Sequence, residues 1–457
     1  MDRLRELAER TPASRERLVD LLRVLAIILV VLGHWTVSVI GYDAHGRLTG
    51  HSALGSLPWA YPITWIVQIL PMFFVVGGFA NAASLASHRR RGGDAVTWLQ
   101  DRSGRIVRPT TALLAVLAGG ASLAHLVNVG SDLARFAVWA ASIPLWFLSA
   151  YLVVILLTPV MYRLHRRFGL GVLGALVLLV ALGDVARLAG PGVLGAGNFV
   201  FGWLVIHQVG FFWRDGRIPF RPGVWAPLLV GGLVALLLLT VVGPYPVSMV
   251  DVSGQRPHNA SPPTLALLAT TAFQLGLVLM LRNPVEGWLH RPRPWRAVVG
   301  VNAVVLTIFL WHMSAVLLLA GALDGLHLLP TPTVATRAWW LWRVPWLIML
   351  VAVLVGLVAV FGRIETRGWH RPPERPGWLP CVVIRVSTAP VPRLLLTVGS
   401  FVAVVLGLLT DNGAPRFGHY LVGMPVGGLA AFLAGATVLR VLRAVPATLT
   451  TRSGLSR

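Results

Sequence analysis

The sequence predicts an all-α fold, a polytopic transmembrane helical bundle of about twelve spans. Two observations carry this prediction. Of the 457 residues, 56% are hydrophobic and only 12% are charged, a balance that excludes an ordinary soluble domain. Apolar stretches long enough to cross a bilayer also recur along the whole chain. The predicted spans cover residues 20–40, 62–86, 110–129, 144–162, 169–189, 194–213, 224–243, 264–281, 298–320, 342–361, 394–410 and 418–439.

The distribution of arginine predicts the topology. All 39 basic residues are arginine. With the predicted spans, 32 of them lie on the side of the membrane that carries the N-terminus, 6 lie on the opposite side, and Arg187 lies within the fifth span. Since cytoplasmic loops carry an excess of basic residues, both termini are predicted to be cytoplasmic. The net charge of +22 therefore reflects topology, and no nucleic-acid partner is predicted. The single cysteine, Cys381, cannot form an internal disulfide.

Composition divides the chain into five segments. The first apolar run is longer than the core of a signal peptide and is interpreted as a retained span. A Pro- and Arg-rich stretch between the tenth and eleventh spans is interpreted as a cytoplasmic linker on anionic lipid. The predicted segments are a cytoplasmic N-terminal segment (1–15), a transmembrane domain (16–362), the linker (363–393), a two-helix transmembrane appendix (394–440) and a cytoplasmic tail (441–457).

The first span contains two ionisable residues, Arg23 near its inner end and His34 eleven residues later. Eleven residues exceed three helical turns by only about 20°, so both side chains share one face, separated by a rise of about 16 Å. Asp20 lies near the same stripe and is a candidate partner for Arg23. Because a histidine exposed to lipid would have unsatisfied nitrogens, His34 should face a protein interior or a wet cavity.

Other polar residues divide into candidate site residues and packing residues. Arg102 and Arg105, before the third span, have guanidinium groups suited to phosphate. His312, about 24 Å up the ninth span, should lie in the outer half of the bilayer, where it could border one cavity with His34. Packing or hydrogen-bonding roles inside the bundle are predicted for the Gly77-Gly78 pair, Ser149, the Asp184–Arg187 pair, His125, His207 and Gln274, and Tyr151 is interpreted as an interfacial belt residue.

Four landmarks stand in an order that resembles the acyltransferase-3 family of membrane acyltransferases, over residues 16–362. They are Asp-x-x-Arg-x-x-Ala followed by His34, the run Phe-Phe-Val-Val-Gly-Gly-Phe at 73–79, the arginines Arg102 and Arg105 before Pro109, and Trp-His at 311–312. The second landmark departs from the family pattern Phe-Phe-x-x-Ser-Gly-Phe, because glycine occupies position 77. No catalytic role is therefore assigned there.

The resemblance implies an integral membrane enzyme that moves an acyl group, often acetyl, from cytosolic acyl-CoA to a hydroxyl group. The acceptor would be a carbohydrate or another lipid-linked, envelope or secreted molecule. Arg23, Arg102 and Arg105 would hold the CoA phosphates or thioester end. His34 would act as general base, for which a neutral imidazole is needed. His312 would position the acceptor or stabilise developing charge. No metal is predicted, since the histidines are scattered and lack neighbouring carboxylates.

Two other functional classes remain open. A transporter or flippase would use Arg23, His34 and Asp184 as a proton or substrate relay, although no inverted repeat is evident in the sequence. A structural or regulatory protein that has lost catalysis would fit the glycine at position 77. Binding of acyl-CoA distinguishes the enzyme from both. The arginine-only basic complement indicates strong nucleotide bias, and a bacterial plasma membrane is the expected location.

Overall fold

The computed structural model describes residues 9, 11–12, 15–190, 192–367 and 381–445. Within these ranges the chain is an α-helical bundle with a single two-stranded hairpin, as the sequence predicts. Eleven of the described helical segments are long and apolar enough to cross a membrane. The sixth predicted span corresponds to a helix of only 17 residues. The prediction of one continuous ninth span over residues 298–320 is wrong, because the chain turns at residues 303–304 between a helix that ends at Asn302 and one that begins at Val305.

The elements follow one another along the chain, and a long connection without a helix or named strand covers residues 243–264. The helices are α1 (Arg17–Val37), α2 (Thr64–Val67), α3 (Leu70–Arg90), α4 (Ala95–Leu126), α5 (Ser131–Ala141), α6 (Leu145–Phe168), α7 (Leu170–Ala189), α8 (Asn198–Arg214), α9 (Pro222–Leu237), α10 (Leu265–Leu289), α11 (Pro292–Asn302), α12 (Val305–Gly325), α13 (Arg337–Arg367), α14 (Cys381–Thr388), α15 (Pro390–Gly413) and α16 (Val426–Ala444). The antiparallel strands β1 (Ser38–Tyr42) and β2 (Leu48–Ser52) pair from Ser38 with Ser52 to Tyr42 with Leu48.

Helix α4 begins well before the predicted third span, which was expected to start at residue 110. The reason is a capping box, in which the Asp94 side chain accepts a hydrogen bond from the Thr97 amide while the Thr97 side chain accepts one from the Asp94 amide. The segment that carries Arg102 and Arg105 is therefore helical, and Pro109 lies inside the helix. Both arginines are thus fixed to a rigid element.

Helices α3 and α8 cross at backbone contact. A Cβ atom added at Gly78 would lie 2.0 Å from the carbonyl oxygen of His207, and one added at Gly210 would lie 2.0 Å from that of Val75. Only glycine permits this approach, which confirms the packing interpretation of Gly78. The crossing places the run Phe-Phe-Val-Val-Gly-Gly-Phe at 73–79 inside the bundle.

The two C-terminal helices pack against the rest of the bundle. Helix α15 lies against α6 and helix α16 against α4. The Arg135 guanidinium, with no exposed surface, forms an ion pair of 2.7 Å with Asp411, whose side chain is 6% exposed. Breaking such a buried pair by removing one partner costs about 3–5 kcal/mol. The last two helices are therefore structurally bound to the preceding domain.

The interpretation of residues 363–393 as a linker is only partly covered by the structure. Helix α13 continues to Arg367 and helix α14 lies within this range, whereas residues 368–380 are outside the described part. The Cys381 side chain also lies outside it. The same is true of most of the predicted N-terminal segment and of the predicted tail after residue 445.

Candidate active site

His34 and His312 come together in the half of the bundle away from the N-terminus. Helix α1 carries the first and α12 the second, and the ring centroids lie 5.2 Å apart with the planes at 88°. The neighbouring Trp35 donates an indole hydrogen bond of 2.9 Å to the carbonyl oxygen of His312, which fixes α1 against α12. Two histidines that are 278 positions apart in sequence thus form one pair.

The environment of His312 defines its tautomer. Its Nδ1 lies 2.6 Å from the carbonyl oxygen of Phe309, and since a carbonyl only accepts, Nδ1 must carry the proton. In the neutral ring Nε2 then has a free lone pair, and this atom is buried without a hydrogen-bond partner. The His312 side chain has no exposed surface, whereas His34 is half-buried. An unpartnered lone pair beside a second imidazole is well placed to accept a proton or a hydrogen bond.

Arg23 lies lower on α1, on the same face as His34. Its predicted partner, Asp20, is 3.7 Å away but forms a closer ion pair with Arg15, at 2.6 Å. Arg23 is surrounded by protein, yet 29% of its side-chain surface remains accessible. Asp20 is thus shared, and its main partner is not the predicted one. The accessible part of the Arg23 side chain remains available for a ligand.

The predicted arginines of α4 belong to the same inner region. The charge of Arg102 acts on both Arg23 and Arg105, so the three side chains are within electrostatic range of one another. A fourth arginine joins them from α16. The Arg443 guanidinium occupies the space beside Gly104, where an added Cβ would lie 1.9 Å from its Nη1, and its Nε is 3.7 Å from Asp101. We call Arg23, Arg102, Arg105 and Arg443 the inner arginine cluster.

Helix α15 supports the base of α4 just before these arginines. The buried Arg393 donates a hydrogen bond of 2.6 Å to the Gln100 side-chain oxygen, and the Gln100 amide donates to Thr397 at 2.9 Å. This network fixes the turn of α4 that precedes Arg102. The C-terminal helices therefore both supply one cation and position two others.

Tyr151 and Arg443 were not predicted as site residues. The interpretation of Tyr151 as an interfacial belt residue is wrong, since its ring is buried against Phe73 and Phe74 of α3 and the side chain lies near Arg23. An added Cβ at Gly77 would lie 3.1 Å from the Tyr151 ring and 3.6 Å from its hydroxyl oxygen. The tyrosine thus fills the space beside the position where the family pattern has serine. The glycine at position 77 was the sequence signal for this arrangement.

The remaining polar residues serve packing, with one exception. Ser149 donates to the Leu145 carbonyl oxygen, and Asp184 pairs with Arg187 at 3.7 Å while it accepts hydrogen bonds from three other donors. The amides of Asn81 and Gln274 make hydrogen bonds inside the bundle, the first of them to His207. The prediction of an interior role for His125 is wrong, because this side chain is exposed near the end of α4.

Comparison with known proteins identifies the family. A family model described as an acyltransferase domain matches residues 17–362, about three quarters of the chain. The chain belongs to the acyltransferase-3 family. It is therefore a multi-pass membrane acyltransferase, which requires an acyl donor and an acyl acceptor. No match was found among curated proteins or among solved structures. The family domain contains both histidines and three of the four arginines of the inner arginine cluster, and Arg443 lies outside it.

Proposed function

We propose that this acyltransferase moves an acetyl or another short acyl group from cytosolic acyl-CoA to a hydroxyl group of a carbohydrate or another envelope or secreted acceptor. The observation that carries the proposal is the separation of the arginines and the histidines along the axis of α1. A cluster of cations lies at one level of the bundle, and a pair of histidines lies about 16 Å further along α1. The two levels match the two ends of CoA, the anionic phosphates and the thioester.

The inner arginine cluster would bind the phosphates. Guanidinium groups form bidentate, charge-assisted hydrogen bonds with phosphate oxygens, and Arg105 and Arg443 lie at the end of the bundle where α1 and α4 begin. The excess of arginine at this end supports a cytoplasmic orientation, in agreement with cytosolic acyl-CoA. The pantetheine arm would then run past Arg23 and Tyr151 towards the histidines.

At the histidine pair, His34 would remove the proton from the acceptor hydroxyl as its oxygen attacks the thioester carbonyl carbon. The carbon–sulfur bond then breaks, and the proton passes to the departing CoA thiolate, so that an ester and free CoA are the products. The unprotonated Nε2 of His312 would accept a hydrogen bond from His34 or from the acceptor and hold it in line. A base of this kind contributes about 10²–10⁴-fold to the rate.

The test is transfer of radiolabelled acetyl from acetyl-CoA by the purified protein in lipid nanodiscs, with an envelope extract as acceptor. The variant His34→Ala should lose transfer by at least 100-fold and still bind CoA. The matched control His45→Ala changes an exposed histidine of the β1–β2 turn and should transfer normally. Undiminished acylation by His34→Ala would refute the assignment of the base.

The transporter alternative depended on Asp184 as a member of a relay. Both oxygens of this carboxylate are engaged, by Asn198 and Arg187 at one and by Tyr245 and the Leu265 amide at the other. A carboxylate with four partners is a structural anchor, which favours the enzyme. Binding of CoA by the purified protein distinguishes the two functions directly.

A further inference from the structure

A cavity opens at the end of the bundle opposite the inner arginine cluster. Its volume is about 340 Å³, and it is lined by strand β1, the segment 329–334 and the first turns of α13. Two tryptophans, Trp342 and Trp346, contribute apolar surface, and Thr331, Thr333 and His51 contribute polar groups. This combination of flat aromatic rings and a few polar groups is typical of sites for small polar ligands.

Arg343 is the charged residue of this cavity. Only 7% of this residue is exposed, its Nη1 donates a hydrogen bond of 2.8 Å to the Ser38 carbonyl oxygen, and its guanidinium carbon lies 4.5 Å from the centre of the Trp339 ring. Its Nε is buried without a partner. No carboxylate of the described residues forms an ion pair with it. A buried guanidinium without a counter-charge is costly, and a bound anion would remove that cost.

The cavity adjoins the end of the helix that carries His34, although the lining contains neither His34 nor His312. Ser38, whose carbonyl oxygen binds Arg343, also donates its hydroxyl hydrogen to the carbonyl oxygen of His34 at 2.7 Å. Ser38 follows His34 by four residues, which is about one helical turn, or a rise of about 6 Å. A ligand held at Arg343 would have to reach about one further helical turn along α1, roughly the length of a sugar ring, to present a hydroxyl group to His34.

We propose that this cavity is the acceptor site and that it selects a hydroxyl-bearing acceptor that carries an oxyanion, either a phosphate or a carboxylate. The oxyanion binds the Arg343 guanidinium, the hydroxyls of Thr331 and Thr333 add hydrogen bonds, and the tryptophans pack against the sugar ring. The role as acceptor site depends on the proposed function, whereas anion binding does not. Tyr42 also lines the cavity, and its hydroxyl group donates a hydrogen bond to the carboxylate of Asp324. Asp324 itself is not a lining residue.

The experiment is saturation-transfer-difference NMR on the full chain in nanodiscs with three probes, glucose 1-phosphate, glucuronate and methyl glucoside. The wild type should bind at least one anionic probe and not the neutral glucoside. Binding of the phosphate alone indicates a phosphate-bearing acceptor, and binding of glucuronate alone an acidic sugar. Equal binding of the neutral glucoside, or no binding of either anion, would overturn the proposal.

Variants on one helix make the test specific. Arg343→Gln should weaken anion binding by about 10-fold or more, because a charge-assisted hydrogen bond is lost. Arg337→Gln removes the same charge from an exposed position of α13 and should bind as the wild type does. Arg343→Lys keeps the charge without the forked donors, so it should retain the preference for anions with weaker binding even if the glutamine variant does not fold. Unchanged anion binding in both Arg343 variants would contradict the proposal.

Binding of CoA, measured in parallel, keeps the two proposals separate. If the wild type binds the anionic sugar but no CoA, the anion site stands and the acyltransfer proposal from acyl-CoA fails. If it binds CoA but no anionic sugar, the donor site stands and the acceptor inference fails.

Discussion

Replacing Arg443 with glutamine tests the claim that a helix outside the family domain completes the donor site. The substitution removes the guanidinium that lies beside Gly104 while keeping a shorter, uncharged polar side chain. A charge-assisted hydrogen bond between arginine and phosphate contributes about 1.5–3 kcal/mol, so CoA binding should weaken by about 10–100-fold. Stability should change little, because the partner Asp101 is 3.7 Å away and 63% exposed, and such pairs contribute about 0–1 kcal/mol.

The assay is equilibrium binding of radiolabelled CoA to the protein in nanodiscs, at low and at high salt. Arg440→Gln is the matched control, since it removes the same charge from the same helix at an exposed position and should leave CoA binding unchanged. Thermal unfolding of both variants shows whether the fold is retained. The reasoning would be refuted if Arg443→Gln bound CoA as the wild type does while Arg102→Gln lost binding.

Two further substitutions test the aromatic centre of the site and the attachment of the C-terminal helices. Tyr151→Phe should lower the rate of acyl transfer by about 5–10-fold, which corresponds to the loss of one hydrogen bond. If the tyrosine hydroxyl replaces the family serine, Gly77→Ser in the Tyr151→Phe background should restore part of the lost rate. Unchanged transfer by Tyr151→Phe would contradict a role for the hydroxyl. Asp411→Asn should lower the free energy of unfolding in lipid by about 3–5 kcal/mol, since it removes the carboxylate charge that balances the buried Arg135 guanidinium. Asp132→Asn, in a pair whose side chains are both about half exposed, should cost at most about 1 kcal/mol.

Composition and apolar run length predicted the helices because each span is a local property of the chain. The paired placement of Arg23 and His34 on one face also followed from helical periodicity, which is local too. The contact of His34 with His312 was a weaker prediction, drawn from the depth of each residue in the membrane. Depth alone could not predict that the Nδ1 of His312 donates to Phe309, which leaves Nε2 free.

The sequence could not predict which residues meet across helices. Tyr151 was assigned to the membrane interface because aromatic residues near span ends usually lie there. In the structure the glycine at position 77 leaves room for the tyrosine ring, so a departure from the family pattern and an aromatic residue on another helix are one feature. Taken alone, the glycine indicates helix packing and the tyrosine indicates a place at the membrane interface. Only the contact between the two residues shows that they belong to one region of the bundle.

The position of Arg443 shows that a helix beyond the end of the family domain packs against that domain beside Gly104. The family match ends at residue 362, yet Arg443 contacts α4 beside Gly104, and Arg393 holds the turn of α4 that precedes Arg102. In a membrane, where lipid tails are as apolar as the helix surfaces, buried polar contacts and close packing determine which helices associate. The C-terminal pair has both, through its buried ion pair between Arg135 and Asp411 and through the arginine network on α4. Loss of these helices would therefore remove a cation from the proposed donor site and loosen the helix that carries two others. Truncation after residue 367 should accordingly abolish CoA binding even though the whole family domain is retained.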